Sequence, residues 1–164
     1  MDKLIKQLQI DYPTLQFESG LVFCWSPKQQ SVVFNASKQG DIVGIWSLLH
    51  EVGHALLEHK DYSSDFELLQ MEAAAWEEAE ELAKKYKHPI NADHIQDCLD
   101  TYRDWLYQRS TCPSCMNCSL QTDPSTYSCF NCNAVWHVSQ SRMCRPYRLV
   151  KHEKRSKKTE TSMK

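Results

Sequence analysis

The chain has 164 residues, of which 41% are hydrophobic, and its formal net charge is −2. This length is typical of one domain plus a small module, and the hydrophobic content is sufficient for a packed core. No stretch approaches the roughly 20 apolar residues of a membrane span, and the first residues lack the apolar run of a secretory signal. The composition therefore excludes a membrane protein and predicts a cytoplasmic one.

The N-terminal part predicts a short helix followed by a small antiparallel sheet. Residues 2–10 have the apolar spacing of an amphipathic helix. Three short segments then follow, rich in β-branched and aromatic residues and separated by turn-forming residues. They are Leu15–Glu18, Leu21–Trp25 and Ser31–Asn35.

A longer helix is predicted over about 41–59, where apolar residues recur every three or four positions and Asp41 can cap the first turn. It carries His50-Glu51-Val52-Gly53-His54, a match to H-E-x-x-H. On a helix, His50 and His54 lie one turn apart on one side, so both imidazoles can bind one zinc ion. Glu51 then lies where it can deprotonate a zinc-bound water. The motif indicates a catalytic site, and a chance match is the alternative interpretation.

A second long helix is predicted over Asp65–Tyr86, and it places the carboxylate of Glu72 among core-facing residues. In the helical register Glu72 lies in the middle of the apolar side, whereas most other glutamates of this helix lie opposite. An unpaired buried carboxylate is costly, so Glu72 needs a cation. Asp65 shares the apolar side, but its place at the helix start explains it without a metal.

Catalytic zinc sites use three protein ligands and leave one position to water. His59 points away from the ligand side of the first long helix. Glu58 lies on that side but about 12 Å along the axis from the first histidine, too far to share one ion. Glu72 is therefore the predicted third ligand, and Arg103, on a third helix over 92–108, is the competing partner for its carboxylate.

Two C-x-x-C pairs, separated by thirteen residues, predict a zinc ribbon in which two turns bind one tetrahedral ion. The ligands are Cys112, Cys115, Cys129 and Cys132. Five of the eight cysteines lie within residues 112–132, which favours metal thiolates in a reducing compartment over disulfides. The predicted strand positions are Tyr127, Val135 and Trp136. Cys118 could replace Cys115, and Cys144 has no assigned role.

The C-terminal end is strongly basic. Residues 142–164 carry nine Lys or Arg and two acids, a net charge of +7, whereas the rest of the chain has a net charge of −9. Such an end is typical of a tail that contacts an anionic partner, and a solvated tail is the alternative. With Trp136 or Tyr147 available for stacking, nucleic acid is a candidate partner of the ribbon and tail.

Two stretches resemble the ImmA/IrrE-type metallopeptidases over roughly residues 15–87. They are Trp46-x-Leu48-Leu49-His50-Glu51-Val52-Gly53-His54-Ala55-Leu56-Leu57 and Glu72-x-x-Ala75-Trp76-x-x-Ala79. In that family the second helix has the form E-x-x-A-N-x-x-A. The resemblance implies a gluzincin-like fold, zinc held by two histidines and a glutamate, Glu51 as general base, and repressor proteins as substrates. This chain departs from the family pattern with Trp76 in place of Asn and with no L-L-x-P stretch after it.

Together these patterns predict an α+β fold: a zincin-like metallopeptidase domain over 1–109, with a small antiparallel sheet and a central H-E-x-x-H helix, a zinc ribbon over 110–147 and a disordered basic tail over 148–164. The predicted function is that of a zinc metalloendopeptidase acting on a regulatory protein, with one catalytic and one structural Zn²⁺ per chain. The alternative is a nucleic-acid-binding or adaptor protein whose H-E-x-x-H site is structural or inactive.

Overall fold

The computed structural model describes residues 1–38, 40–139 and 147–150. Over these residues the chain is α+β, as predicted, with four α-helices and two small sheets. It divides into two compact units, Met1–Leu106 and Tyr107–Lys164. None of the helices in the described ranges is long and apolar enough to cross a membrane.

The elements of the first unit are α1 (Asp2–Asp11), β1 (Gln16–Gly20), β2 (Cys24–Ser26), β3 (Ser31–Asn35), a short 3-10 helix (Ala36–Lys38), α2 (Ile42–Leu56), α3 (Asp65–Tyr86) and α4 (Ala92–Ser110), the last of which continues into the second unit. The second unit then contains β4 (Leu120–Asp123), β5 (Thr126–Ser128), β6 (Val135–Val138) and β7 (Arg148–Val150). The four helices lie where the apolar periodicity predicts them.

Helix α2 begins as predicted but ends three residues early. The Asp41 side chain accepts a hydrogen bond from the Val43 backbone N–H at 3.0 Å, which caps the first turn. At the other end Glu58 has a φ of 53°, in the left-handed region that commonly ends a helix. The chain therefore turns back over the last turn of α2.

The first sheet has the strand order β1-β3-β2, and it is mixed where the sequence predicts an antiparallel sheet. β2 and β3 are antiparallel, but β1 pairs with β3 in parallel. The chain reverses direction from β1 to β2 and again from β2 to β3, so β3 runs the same way as β1, and it lies between the other two strands. The alternation of apolar residues that predicts the strands does not specify their relative direction.

The core of the first unit forms where α2 and α3 pack against α1 and the sheet. Its fully buried side chains include Leu8, Val32, Leu48, Leu49 and Val52.

Gly53 brings α2 and α3 close together. A Cβ atom at this position would lie 2.5 Å from the backbone carbonyl oxygen of Ala75. Real Cβ contacts do not reach that distance, and a helix backbone cannot move aside as a side chain can. The absence of a side chain at Gly53 therefore sets the separation of the two helices.

A polar cluster joins the end of α1 to the end of α3. The Asp11 carboxylate accepts hydrogen bonds from Tyr86 Oη at 2.7 Å and Gln7 Nε2 at 2.8 Å, and Lys85 Nζ lies 2.8 Å from it. These contacts, of which the hydrogen bond from Lys85 has the largest effect, lower the pKa of Asp11 to about 2. The Lys85 ammonium also lies over the ring of Tyr12, 4.9 Å from its centroid.

The second unit is built on the antiparallel sheet β4-β5-β6-β7. Tyr127 and Trp136, on neighbouring strands, stack with ring centroids 5.6 Å apart, and Trp136 Nε1 donates to the Arg109 carbonyl at 3.0 Å. Cys112 and Cys129 belong to the same buried cluster. The strand positions predicted at Tyr127, Val135 and Trp136 are confirmed.

Strand β7 lies in the stretch predicted to be a disordered tail, and that prediction is wrong for Arg148–Val150. These residues pair with β6, and Arg148 Nη1 donates to the Thr111 carbonyl at 2.7 Å. The sequence does not indicate these contacts, because the high charge of the segment is typical of a disordered tail. The rest of the predicted tail, 151–164, lies outside the described residues.

Gly53→Ala should destabilise the protein by about 1–3 kcal/mol, the usual cost of overpacking a core, although Ala is the better helix former by about 1 kcal/mol. Urea unfolding measures this change. Gly40→Ala is the control, since a Cβ there meets no atom within 4 Å. Equal stability of the two variants would show that the helices are not held at the distance of the Gly53 contact.

Asp11→Asn should lower stability at neutral pH and lose its effect in acid. The folded pKa of about 2 lies below the unfolded value of about 3.9, so the stabilisation is present above pH 4 and disappears as the pH falls through 2. Unfolding curves between pH 2 and 7 measure the difference from wild type. Glu81→Gln, which removes an exposed ion pair with Lys84 on the surface of α3, is the control and should change little. A pH-independent difference for Asp11→Asn contradicts the assignment.

Candidate functional site

Helices α2 and α3 bring the three predicted ligands of the first site together. His50 Nε2 lies 3.1 Å from His54 Nε2 and 3.2 Å from Glu72 Oε2, and His54 Nε2 lies 3.6 Å from the same carboxylate oxygen. The three side chains are 9–11% exposed. The helical register that points Glu72 into the core therefore also points it at both histidines, and the group could hold a metal ion.

The spacing of the three atoms fits tetrahedral coordination. Ligand atoms bonded to one ion at about 2.0–2.1 Å are about 3.3 Å apart in a tetrahedral site. The observed separations of 3.1–3.6 Å lie around that value. Two imidazole nitrogens and a carboxylate oxygen are also a donor set that divalent metals use.

Glu72 faces the histidines and not the competing arginine. Burial raises the pKa of the Glu72 carboxyl, but hydrogen bonds and charges from His50 and His54 outweigh burial and hold it well below its ordinary range. Arg103 Nη1 instead contacts Asp100 on its own helix at 2.7 Å. Glu72 is thus a buried carboxylate whose polar partners are the two histidines.

The predicted general base, Glu51, lies in the same cavity. The cavity has a volume of about 300 Å³, is open to solvent and is lined by the three candidate ligands together with Glu51 and Tyr62. The Trp25 backbone N–H, on edge strand β2, donates to Glu51 Oε2 at 2.8 Å. Burial raises the pKa of Glu51 more than the neighbouring histidines and this hydrogen bond lower it.

The two histidines are oriented in different ways. The His50 ring stacks on Trp76 with centroids 4.2 Å apart, and its Nδ1 is buried with no hydrogen-bond partner among the described residues. His54 Nδ1 lies 2.8 Å from His59 Nδ1. Trp76, which departs from the resembled family pattern, therefore covers one face of His50.

The prediction that His59 points away from the ligand side of α2 is wrong, because its ring lies against His54. The expectation that it points away from the site assumes a helix to residue 59, but the left-handed Glu58 turns the ring onto His54. Trp25 Nε1 donates to the His59 carbonyl at 2.9 Å. Burial, together with His54, lowers the pKa of His59. No local pattern in the sequence indicates this contact, since it depends on where the helix ends.

The four predicted ribbon cysteines also converge. Cys112 Sγ lies 3.6 Å from Cys132 Sγ, and Cys115 Sγ lies 3.5 Å from Cys129 Sγ, so the four sulfur atoms could hold a metal ion. Sulfur atoms bonded to one tetrahedral ion at about 2.3 Å are about 3.8 Å apart. Hydrogen bonds, chiefly the one from Ser119, lower the pKa of Cys129 to about 6. A backbone hydrogen bond from Ala134 lowers the pKa of Cys132, but burial and the neighbouring cysteines outweigh it and raise that pKa to about 12, so the sulfur atoms titrate together as one group.

The two C-x-x-C turns have one backbone form. Met116 and Asn133, which follow the second cysteine of each pair, have φ values of 64° and 58°. Their N–H groups donate to the carbonyls of Cys112 and Cys129 at 3.0 and 2.9 Å. Cys118 is exposed and lies outside the four-cysteine group.

The remaining features are the aromatic residues predicted to stack on bases and the cysteines outside the ribbon ligands. Trp136 is 0% exposed, so it cannot stack on a base as the sequence suggests, whereas Tyr147 is 63% exposed. His94 and Cys98, four residues apart on α4, form a further histidine–cysteine pair. Their Nε2 and Sγ atoms are 3.7 Å apart, and no third metal donor is grouped with them in the described part of the chain. Cys144 and most of the basic end lie outside the described residues.

Comparisons with family models, curated proteins and solved structures found no match to this chain. The resemblance to the ImmA/IrrE-type metallopeptidases therefore stays a prediction from the two sequence motifs. Any function proposed for the chain depends on the geometry of the two candidate metal sites.

Proposed function

We propose that this chain is a zinc-dependent metalloendopeptidase with a zincin-like catalytic unit and a structural zinc ribbon. The observation that carries the proposal is the convergence of His50, His54 and Glu72 in one open cavity that also contains the carboxylate of Glu51. Three protein ligands beside open space are what a hydrolytic zinc site needs, because the fourth position must admit water.

Zinc is the proposed ion at both sites. A nitrogen–nitrogen–oxygen set with near-tetrahedral spacing and a four-thiolate set are both typical of zinc. Two ions per chain follow, one at each site. At the first site, a bound zinc ion supplies Lewis acidity, which lowers the pKa of water towards 7 and polarises a carbonyl group.

In this proposal Glu51 transfers the proton and Glu72 binds the ion. Glu51 accepts a proton from the attacking water and returns it to the leaving amine. A pKa above the ordinary glutamate value suits this role, because a base works best when its pKa is near the working pH. Glu72 stays ionised and binds the ion.

The proposed substrate is a regulatory protein such as a repressor, and the proposed location is the cytoplasm. The substrate class is supported by the motif resemblance, and the location by four free cysteines that converge and could hold a metal ion. The competing proposal is a nucleic-acid-binding or adaptor protein with an inactive first site. The burial of Trp136 removes one of the two aromatic residues on which that proposal depends.

Glu51→Gln should keep both metals and the fold but lower the rate of peptide hydrolysis by about 10²–10⁴-fold, the usual contribution of general acid–base catalysis. Mass spectrometry of a library of unstructured peptides incubated with each protein measures cleavage. Glu77→Gln, an exposed acid on α3, is the matched control and should cleave like wild type. Hydrolysis by Glu51→Gln at the wild-type rate would falsify the peptidase proposal.

Glu72→Ala should lower the zinc content from about two ions per chain to about one, because the ion loses one of its three protein ligands. Metal analysis of protein purified without chelator gives the count, with Glu77→Ala as the control. Cys112→Ser should remove the other ion. A wild-type content near one, or a content near two in Glu72→Ala, contradicts the ligand assignment.

A further inference from the structure

We infer that His59 and Trp25 are positioning residues for the first metal site: His59 orients the ligand His54, and Trp25 holds both His59 and Glu51. The inference rests on the proposed function, since it assigns a role around the same metal. It adds two residues that lie outside both sequence motifs.

The tautomer that His54 needs for metal binding matches its contact with His59. His54 Nε2 faces His50 and Glu72, so a bound metal needs the lone pair of that nitrogen. The ring proton is then on Nδ1, which lies 2.8 Å from His59 Nδ1 and in this tautomer can donate to it. A histidine ligand commonly donates its second N–H to a carboxylate, a carbonyl or a water. Here a second imidazole accepts it.

His59 is itself held by the backbone and by Trp25. Its backbone N–H donates to the His54 carbonyl at 3.0 Å, and its own carbonyl accepts from Trp25 Nε1 at 2.9 Å. The Trp25 backbone N–H donates to Glu51 at 2.8 Å. One residue of β2 therefore connects the proposed base with the residue behind the ligand.

The other histidine ligand, His50, is not oriented by a comparable hydrogen bond from any described residue to its Nδ1 atom. Its Nδ1 has no hydrogen-bond partner in the described residues, and its ring is oriented by stacking on Trp76. Of the two histidine ligands, His54 is the one whose direction and tautomer depend on a hydrogen bond. Removing the His59 ring should therefore affect metal affinity at this site without touching a ligand.

His59→Ala should weaken metal binding at the first site by about 10–100-fold, the usual effect of losing a residue that orients a ligand. His59→Asn should recover part of the affinity, because the amide oxygen can accept the His54 N–H where the ring nitrogen did. Trp25→Phe removes the indole N–H but leaves the backbone bond to Glu51, and it should cost about 2–10-fold, the effect of one hydrogen bond. His88→Ala, a histidine outside the cavity, is the control.

The readout is cobalt(II) binding to the full chain, because its visible spectrum separates the imidazole–carboxylate site from the four-thiolate site. Competition with a chelator gives the affinity, and circular dichroism of the metal-free proteins tests folding. Wild-type affinity in His59→Ala overturns this inference alone, as does an equal loss in His59→Asn and His59→Ala with both folded. A wild-type chain that binds no cobalt at the His50 site overturns the proposed function together with the inference.

Discussion

The first site depends on one steric contact, that of Gly53 on the Ala75 carbonyl. Helices usually pack with side chains between their backbones, at axis separations of about 8–10 Å. At this point no side chain separates α2 from Ala75. The contact lies one residue from His54 and one helical turn from Glu72. A wider separation would move the carboxylate away from both imidazoles, so the geometry of the ligands follows from the packing of the core.

The two candidate metal sites relate differently to the folds around them. In the first unit the core of α1, the sheet, α2 and α3 is continuous without the ligands. Among the described residues of the second unit, Cys112 and Cys129 are two of the five buried members of the core. An ion at the first site adds chemistry to a fold that packs independently, whereas an ion at the second replaces apolar volume that this small unit lacks.

Features with a local cause could be predicted from the sequence. The helical register places Glu72 in the core because the period of an α-helix is fixed, and the ribbon cysteines follow from the short C-x-x-C turns. Three features could not be predicted: the parallel pairing of β1 with β3, the contact of the His59 ring with His54, and the pairing of β7 with β6. Each depends on where one element ends relative to another that is distant in the sequence, which periodicity does not encode.

The hydrogen bond that holds Glu51 comes from the main chain of Trp25 and not from a side chain. Every amino acid except proline supplies the same N–H, so this support tolerates substitution at residue 25 and leaves no signature in the sequence. The indole bond to His59 has the opposite property, because few side chains can replace it. In a related sequence with another residue at position 25, the two roles would therefore separate. Glu51 would keep its hydrogen bond from the backbone, whereas His59 would lose the bond from the indole and His54 would lose that indirect support.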